Sequence, residues 1–210
     1  MKKAVVWIFV LLFTLSGCTK YPYTVQPVLD DAVATQTVSN RVIQVSYPAS
    51  YMASVGEDSI SLLFTTGYAG AAVVQRVDDT DLSIPLTEGD GKWLQEKLTE
   101  FFLGYATYTV VELQTIQDET VIYMESMEQY TEEVIDNMLA AGSLTEETIE
   151  AVGGREAMLA FAPTPKISIF AYVEGELFSF SGSYEMEDGN EGRQALLDCL
   201  TLMITTAEKK

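Results

Sequence analysis

The chain has 210 residues, with 31 acidic against 12 basic side chains and a formal net charge of −19. It contains no histidine, which removes Ser-His-Asp and Cys-His catalysis, histidine metal sites and histidine pH switching. So acidic a surface repels nucleic acid and anionic lipid headgroups and attracts cations and basic peptides; it also keeps a domain soluble when that domain is held near a membrane.

The chain begins Met1-Lys2-Lys3, runs through an apolar stretch from Ala4 to Phe13, and reaches Thr14-Leu15-Ser16-Gly17-Cys18. A short basic head, an apolar core and small residues before a cut site form a secretory signal. The apolar stretch falls short of the roughly 20 residues that a membrane span needs. Leu15-Ser16-Gly17-Cys18 resembles the lipobox of bacterial lipoproteins. That resemblance implies a signal peptide over 1–17, diacylglycerol on the Cys18 sulfur, and anchoring to the extracytoplasmic face of a cell membrane. Two or more acyl chains make such an anchor stable where one does not. Loss of the signal takes Lys2 and Lys3 from the 12 basic residues and leaves 10 against 31, a formal charge of −21.

Residues 18–40 carry Pro22, Pro27, Thr, Gln and Ser without a sustained period, and they read as a lipidated tether. Fully extended, about 20 residues of such a stretch reach about 65–70 Å. A single α+β domain is expected over 41–210. The chain as a whole has 48% hydrophobic residues, 11 Tyr and 9 Phe, enough apolar material to fill one core.

Ile43, Val45 and Tyr47 alternate with Gln44 and Ser46, a strand that Pro48 ends. Ser59–Thr65 and Ala71–Val77 are two further β-prone runs, with Gly67 and Gly70 between them as a hairpin signal. Trp93, Leu94, Leu98, Phe101, Phe102 and Tyr105 share one helical face over Lys92–Tyr105. Tyr108–Thr115 and Thr120–Met127 read as strands. Thr131–Ala141 and Thr145–Phe161 read as acidic helices, with Ser143-Leu144-Thr145-Glu146 at capping-box spacing and Gly153-Gly154 as a point of interruption. Pro163 and Pro165 end this helical region. Lys166–Val173 and Leu177–Ser183 flank Glu174-Gly175-Glu176 as a hairpin. An acidic loop over Glu185–Gly192 leads to a closing helix from Arg193 to about Ala207. In that helix Cys199 lies between Leu196 and Leu200 and reads as a small buried apolar residue rather than a nucleophile; once Cys18 is acylated it has no partner for an intrachain disulfide.

Hairpins with helices between them predict a mainly antiparallel sheet flanked by helices. Val45-Ser46-Tyr47-Pro48-Ala49-Ser50-Tyr51 resembles the opening of the PsbP-like superfamily, which takes in photosystem II extrinsic subunits, Ran-binding Mog-type proteins and DcrB-type bacterial lipoproteins. The order of elements over 41–207 is similar to that pattern, with the helical stretch around 131–161 as an insertion. The resemblance implies a noncatalytic accessory or binding module.

Candidate sites are few. Asp78, Asp79 and Asp81 follow a strand and offer oxygen donors to a hard cation such as calcium, or form a solvated turn. Glu185, Glu187 and Asp188 offer the same in a Gly-rich loop, but counting from Glu185 puts Asn190 sixth and Leu196 twelfth, which breaks the EF-hand pattern. Acids on the helices (Glu132, Glu133, Asp136, Glu146, Glu147 and Glu150) face water or a basic partner. Tyr105, Tyr108, Tyr123, Tyr130, Tyr172 and Tyr184, with Phe170, Phe178 and Phe180, pack the sheet or line an aromatic groove. No cofactor, nucleophile elbow or phosphate-binding loop is indicated. The expected function is a noncatalytic, lipid-anchored binding or accessory domain at the cell envelope, with an envelope protein or basic peptide as partner. The alternatives are a cation- or small-ligand-binding module serving a transporter or sensor, and a hydrolase working through carboxylates alone.

Overall fold

The computed structural model describes residues 34–64, 70–77, 108–116, 119–142 and 144–210. Seven strands form one antiparallel sheet: β3 (Tyr51–Val55), β4 (Ser59–Phe64), β5 (Gly70–Arg76), β6 (Tyr108–Ile116), β7 (Glu119–Glu128), β8 (Thr164–Val173) and β9 (Glu176–Tyr184), in the spatial order β3-β4-β5-β9-β8-β7-β6. A smaller sheet has the order β1-β2-β10, from β1 (Thr35–Ser39), β2 (Ile43–Pro48) and β10 (Glu208–Lys209). Three short helices, α1 (Glu132–Ala140), α2 (Glu146–Ala151) and α3 (Arg155–Leu159), stand between β7 and β8. The long helix α4 (Gly189–Thr205) follows a 3-10 turn at Met186–Asp188. The fold class is therefore the expected one: α+β, antiparallel, with helices inserted near 131–161.

Helix α4 is what the two sheets share. It contacts β9, β8 and β5 of the large sheet and β2 of the small one. Leu196, Leu197, Cys199, Leu200, Leu202 and Met203 are all buried, covering more than one face, because the helix is packed on two sides. The main core joins these residues to Ile43, Val45 and Tyr47 of β2 and to Ile60, Leu62, Val74, Phe178 and Phe180 of the large sheet. Thr206 ties the end of α4 to the small sheet: its Oγ1 accepts from the Ser46 amide at 2.8 Å and donates to the Leu202 carbonyl at 2.7 Å. The chain passes between sheets at Ala49-Ser50. Tyr47, before that step, donates to Gln36 Oε1 at 2.9 Å; Tyr51, after it, donates to the Ala195 carbonyl at 3.3 Å and packs tilted against Phe64, with ring centroids 4.4 Å apart and planes at 47°. Both tyrosines of the Tyr-Pro motif are thus core residues.

On the other face of the large sheet, Val111, Ile122, Met124, Phe170 and Leu177 form a second cluster. The helical insertion has a third of its own, Ile135, Leu144, Ile149 and Met158.

Several boundaries differ from the sequence reading. Thr35–Ser39, read as tether, is strand β1: it pairs with β2 from Thr35↔Pro48 to Ser39↔Gln44, and its side chains are mostly exposed, which is why it carries no apolar period. Tyr51–Val55 was not expected as a strand, because Tyr51 is its only buried side chain. The helix expected over Thr145–Phe161 is two helices, separated where Gly153 and Gly154 adopt φ of +101° and +93°. Its cap is Thr145, which accepts from the Thr148 amide at 3.2 Å; Ser143 lies outside the described residues. Pro165 lies inside β8, at its margin, where pairing runs to β7 alone. Glu185–Gly192 is no open loop: it holds the 3-10 turn and the first residues of α4, and Glu191 suits the positive end of that helix. The expected helix over Lys92–Tyr105 lies outside the described residues, as do residues 1–33, over which a signal peptide, Cys18 and most of the tether are expected.

Candidate binding cleft

Where the helical insertion meets the large sheet, a cleft of about 660 Å³ opens. Three separate segments build it. The first runs from Glu128, the last residue of β7, through Tyr130 to Val134 and Met138 on α1. Thr131 sets the direction of α1, its Oγ1 accepting from the Val134 amide at 3.2 Å. The second segment is Phe161–Pro165, where Pro163 prevents α3 from continuing and the chain extends into β8. The third is the end of β9 and the turn after it, Ser183–Glu187.

The lining is apolar with an acidic rim. Tyr130 and Phe161 meet edge to face, with centroids 6.0 Å apart and planes at 66°. Phe161 is 47% exposed and Met186 is 59% exposed, large apolar side chains that face water at the mouth. Glu128 is held by Lys166 Nζ at 2.9 Å. Among the described residues neither Glu185 nor Glu187 has an ion-pair partner.

Of the residues singled out in the sequence, the structure gathers some and separates others. Tyr130 and Tyr184 line the cleft, whereas Tyr123, Phe170, Phe178 and Phe180 are buried in the two cores and Tyr172 is partly exposed at the far end of β8. Glu185 and Glu187 line the cleft and Asp188 does not. Among the described residues, no three acidic or cysteine side chains approach closely enough to hold a metal ion. Asp78, Asp79, Asp81 and Tyr105 lie outside the described residues. On the insertion, Glu132 and Asp136 grip Arg155 at 2.9 and 2.6 Å, tying α3 to α1. Phe161 and Met186 were not anticipated. Phe161 is the last residue of an expected helix and Met186 lies in an acidic stretch, and neither place distinguishes a cleft residue from an ordinary one.

A partly buried polar cluster and a buried thiol lie away from the cleft. The Arg193 guanidinium donates to Glu125 Oε1 and, at 2.9 Å, to the Tyr123 hydroxyl, which also donates to Glu125. Burial of Tyr123 pushes its phenol well above the ordinary tyrosine range. Cys199 is fully buried; desolvation pushes its thiol up to about 12, which leaves it protonated and unreactive at neutral pH. Among the described residues, no helix is long and apolar enough to cross a membrane.

No protein-family model matches the chain, and no curated protein does. Among solved structures, the Ran-binding protein Mog1p of Saccharomyces cerevisiae is 12% identical, with a TM-score of 0.46, over 84% of this chain and 96% of that one. A protein from Bacteroides thetaiotaomicron is also 12% identical, with a TM-score of 0.42, over 80% of this chain and 45% of that one. At that identity no site residue transfers from either.

Proposed function

We propose that this chain is an exported lipoprotein, anchored through Cys18 on the extracytoplasmic face of a membrane, whose domain is a noncatalytic binding module of PsbP-like type. The cleft between the helical insertion and the large sheet holds its partner, an envelope protein. One observation carries the binding part: apolar side chains from three distant segments converge on an open cavity within the roughly 300–1,000 Å³ range of ligand sites, and Phe161 and Met186 stay exposed there. The export part is supported by the order Lys2-Lys3, apolar core, Leu15-Ser16-Gly17-Cys18, and the family reading by Tyr47-Pro48 at the end of β2.

Both parts are open to test in cells making the full chain. Mass spectrometry should find acylated Cys18 as the first residue, and Cys18→Ser should leave an unprocessed, unacylated chain. A photocrosslinking amino acid at position 161 should join the chain to one envelope protein, and the same group at position 172, at the other end of β8, should not. An intact Met1 would end the lipoprotein reading; equal crosslinking from both positions would end the cleft reading.

A further inference from the structure

We infer that the occupant of the cleft is an extended peptide segment presenting an arginine, its guanidinium seated beside Tyr130, Phe161 and Tyr184 and facing Glu185 and Glu187. This rests on the cleft being the binding site and names the chemistry that enters it.

The three acids on the lining are not equivalent, because Glu128 already has Lys166 at 2.9 Å. Glu185 and Glu187, two residues apart on the turn between β9 and α4, have no ion-pair partner among the described residues. They stand at the mouth of a cavity whose aromatic rings carry negative π-faces, and those faces attract cations. Aromatic rings and carboxylates in one cavity therefore select the same kind of guest. A guanidinium suits it better than an ammonium: it is planar, weakly hydrated, stacks on rings and bonds carboxylates through two N–H groups at once.

The remaining lining argues for a peptide over a free cation. Met138, Pro163 and Met186 offer apolar surface that a small cation leaves wet. Aliphatic side chains flanking an arginine cover it, and burial of that surface adds to binding. The cavity's 660 Å³ also far exceeds what one guanidinium fills.

The test uses the full chain, purified in mild detergent, and three probes: the peptide acetyl-Gly-Leu-Arg-Leu-Gly-amide, its counterpart with neutral citrulline for arginine, and free argininamide. Calorimetry gives affinity, and NMR shifts of the Tyr130, Phe161 and Tyr184 ring protons give location. The arginine peptide should move these rings, and citrulline should weaken binding roughly tenfold, the worth of charge-assisted hydrogen bonds. Joint Glu185→Gln and Glu187→Gln changes, on exposed side chains, should weaken it similarly while leaving the melting temperature unchanged. Equal binding of the citrulline peptide at the same rings would overturn the arginine assignment and leave the cleft as an apolar binding site. Argininamide binding as tightly as the peptide would overturn the peptide assignment. If no probe moves a cleft ring, the cleft reading falls as well.

Discussion

Leu196 on α4 rests on Gly182 of β9 at a distance that leaves no room for a side chain. A Cβ on Gly182 would lie 2.5 Å from Leu196 Cδ1 and equally close to the Ala71 carbonyl oxygen of the neighbouring strand. Helix and sheet approach here because the strand has nothing to offer but backbone. Gly182→Ala should therefore destabilise the domain by about 1–3 kcal/mol, the cost of overpacking a fixed site. Urea unfolding would measure it. A loss under about 0.5 kcal/mol would mean that α4 shifts freely on the sheet.

A second tie runs from α4 to β7 through Arg193, Glu125 and Tyr123. The guanidinium and carboxylate are only 15% and 22% exposed, so each depends on the other to compensate lost hydration. Arg193→Ala should cost about 2–4 kcal/mol by stranding Glu125. Tyr123→Phe keeps the buried ring and should cost about 1 kcal/mol for the lost hydroxyl. In a double-mutant cycle the two losses should fall short of additive, because both act on Glu125. Full additivity would show that the three groups do not form a network.

Alkaline solution should find a weak point in the core. The Cys199 thiol, ordinarily near 9.0, is pushed up to about 12 by desolvation, and the phenol of Tyr51 is raised by burial. In each case the folded state holds its proton to higher pH than the unfolded chain does, so the unfolded chain loses protons first. The stabilisation is complete below pH 9 and is lost as pH rises from 9 toward 12. Urea midpoints should hold level from pH 7 to 9 and fall above it, and Cys199→Ala should make that fall shallower. Iodoacetamide should leave Cys199 intact at pH 8 until the chain unfolds. Rapid alkylation of the native chain would contradict the burial of this thiol.

The helical insertion should loosen without the rest of the fold. Its apolar cluster of Ile135, Leu144, Ile149 and Met158 is separate from the main core, and its first two helices depend on Thr131 and Thr145 as caps. Thr131→Ala and Thr145→Ala should each cost about 1 kcal/mol locally. Hydrogen exchange should quicken over 131–161 and stay slow in β8, β9 and α4. Uniform quickening across the domain would show that the insertion and the sheet unfold as one unit.

Much of this architecture can be read from local chemistry. The alternation of Ile43, Val45 and Tyr47, the turn at Glu174-Gly175 and the period of Leu196, Cys199, Leu200 and Met203 each lie within one segment, where a strand's period of two or a helix's of 3.6 must match a buried face. Strands β1 and β3 escaped because pairing, not burial, holds them: backbone hydrogen bonds to β2 and β4 leave no apolar pattern in their side chains.

By itself the sequence determined the histidine-free, acidic chemistry and the antiparallel α+β class, because composition and short-range periodicity are properties of neighbouring residues. Only the tertiary structure decided that α4 sits between two sheets and that Tyr130, Phe161, Tyr184 and Met186 share one cleft. Those residues come from three stretches of chain that no period links, and they meet only when strand pairing sets Ser183, near the end of β9, opposite Lys166, near the start of β8, with Val134 and Met138 of α1 completing the lining.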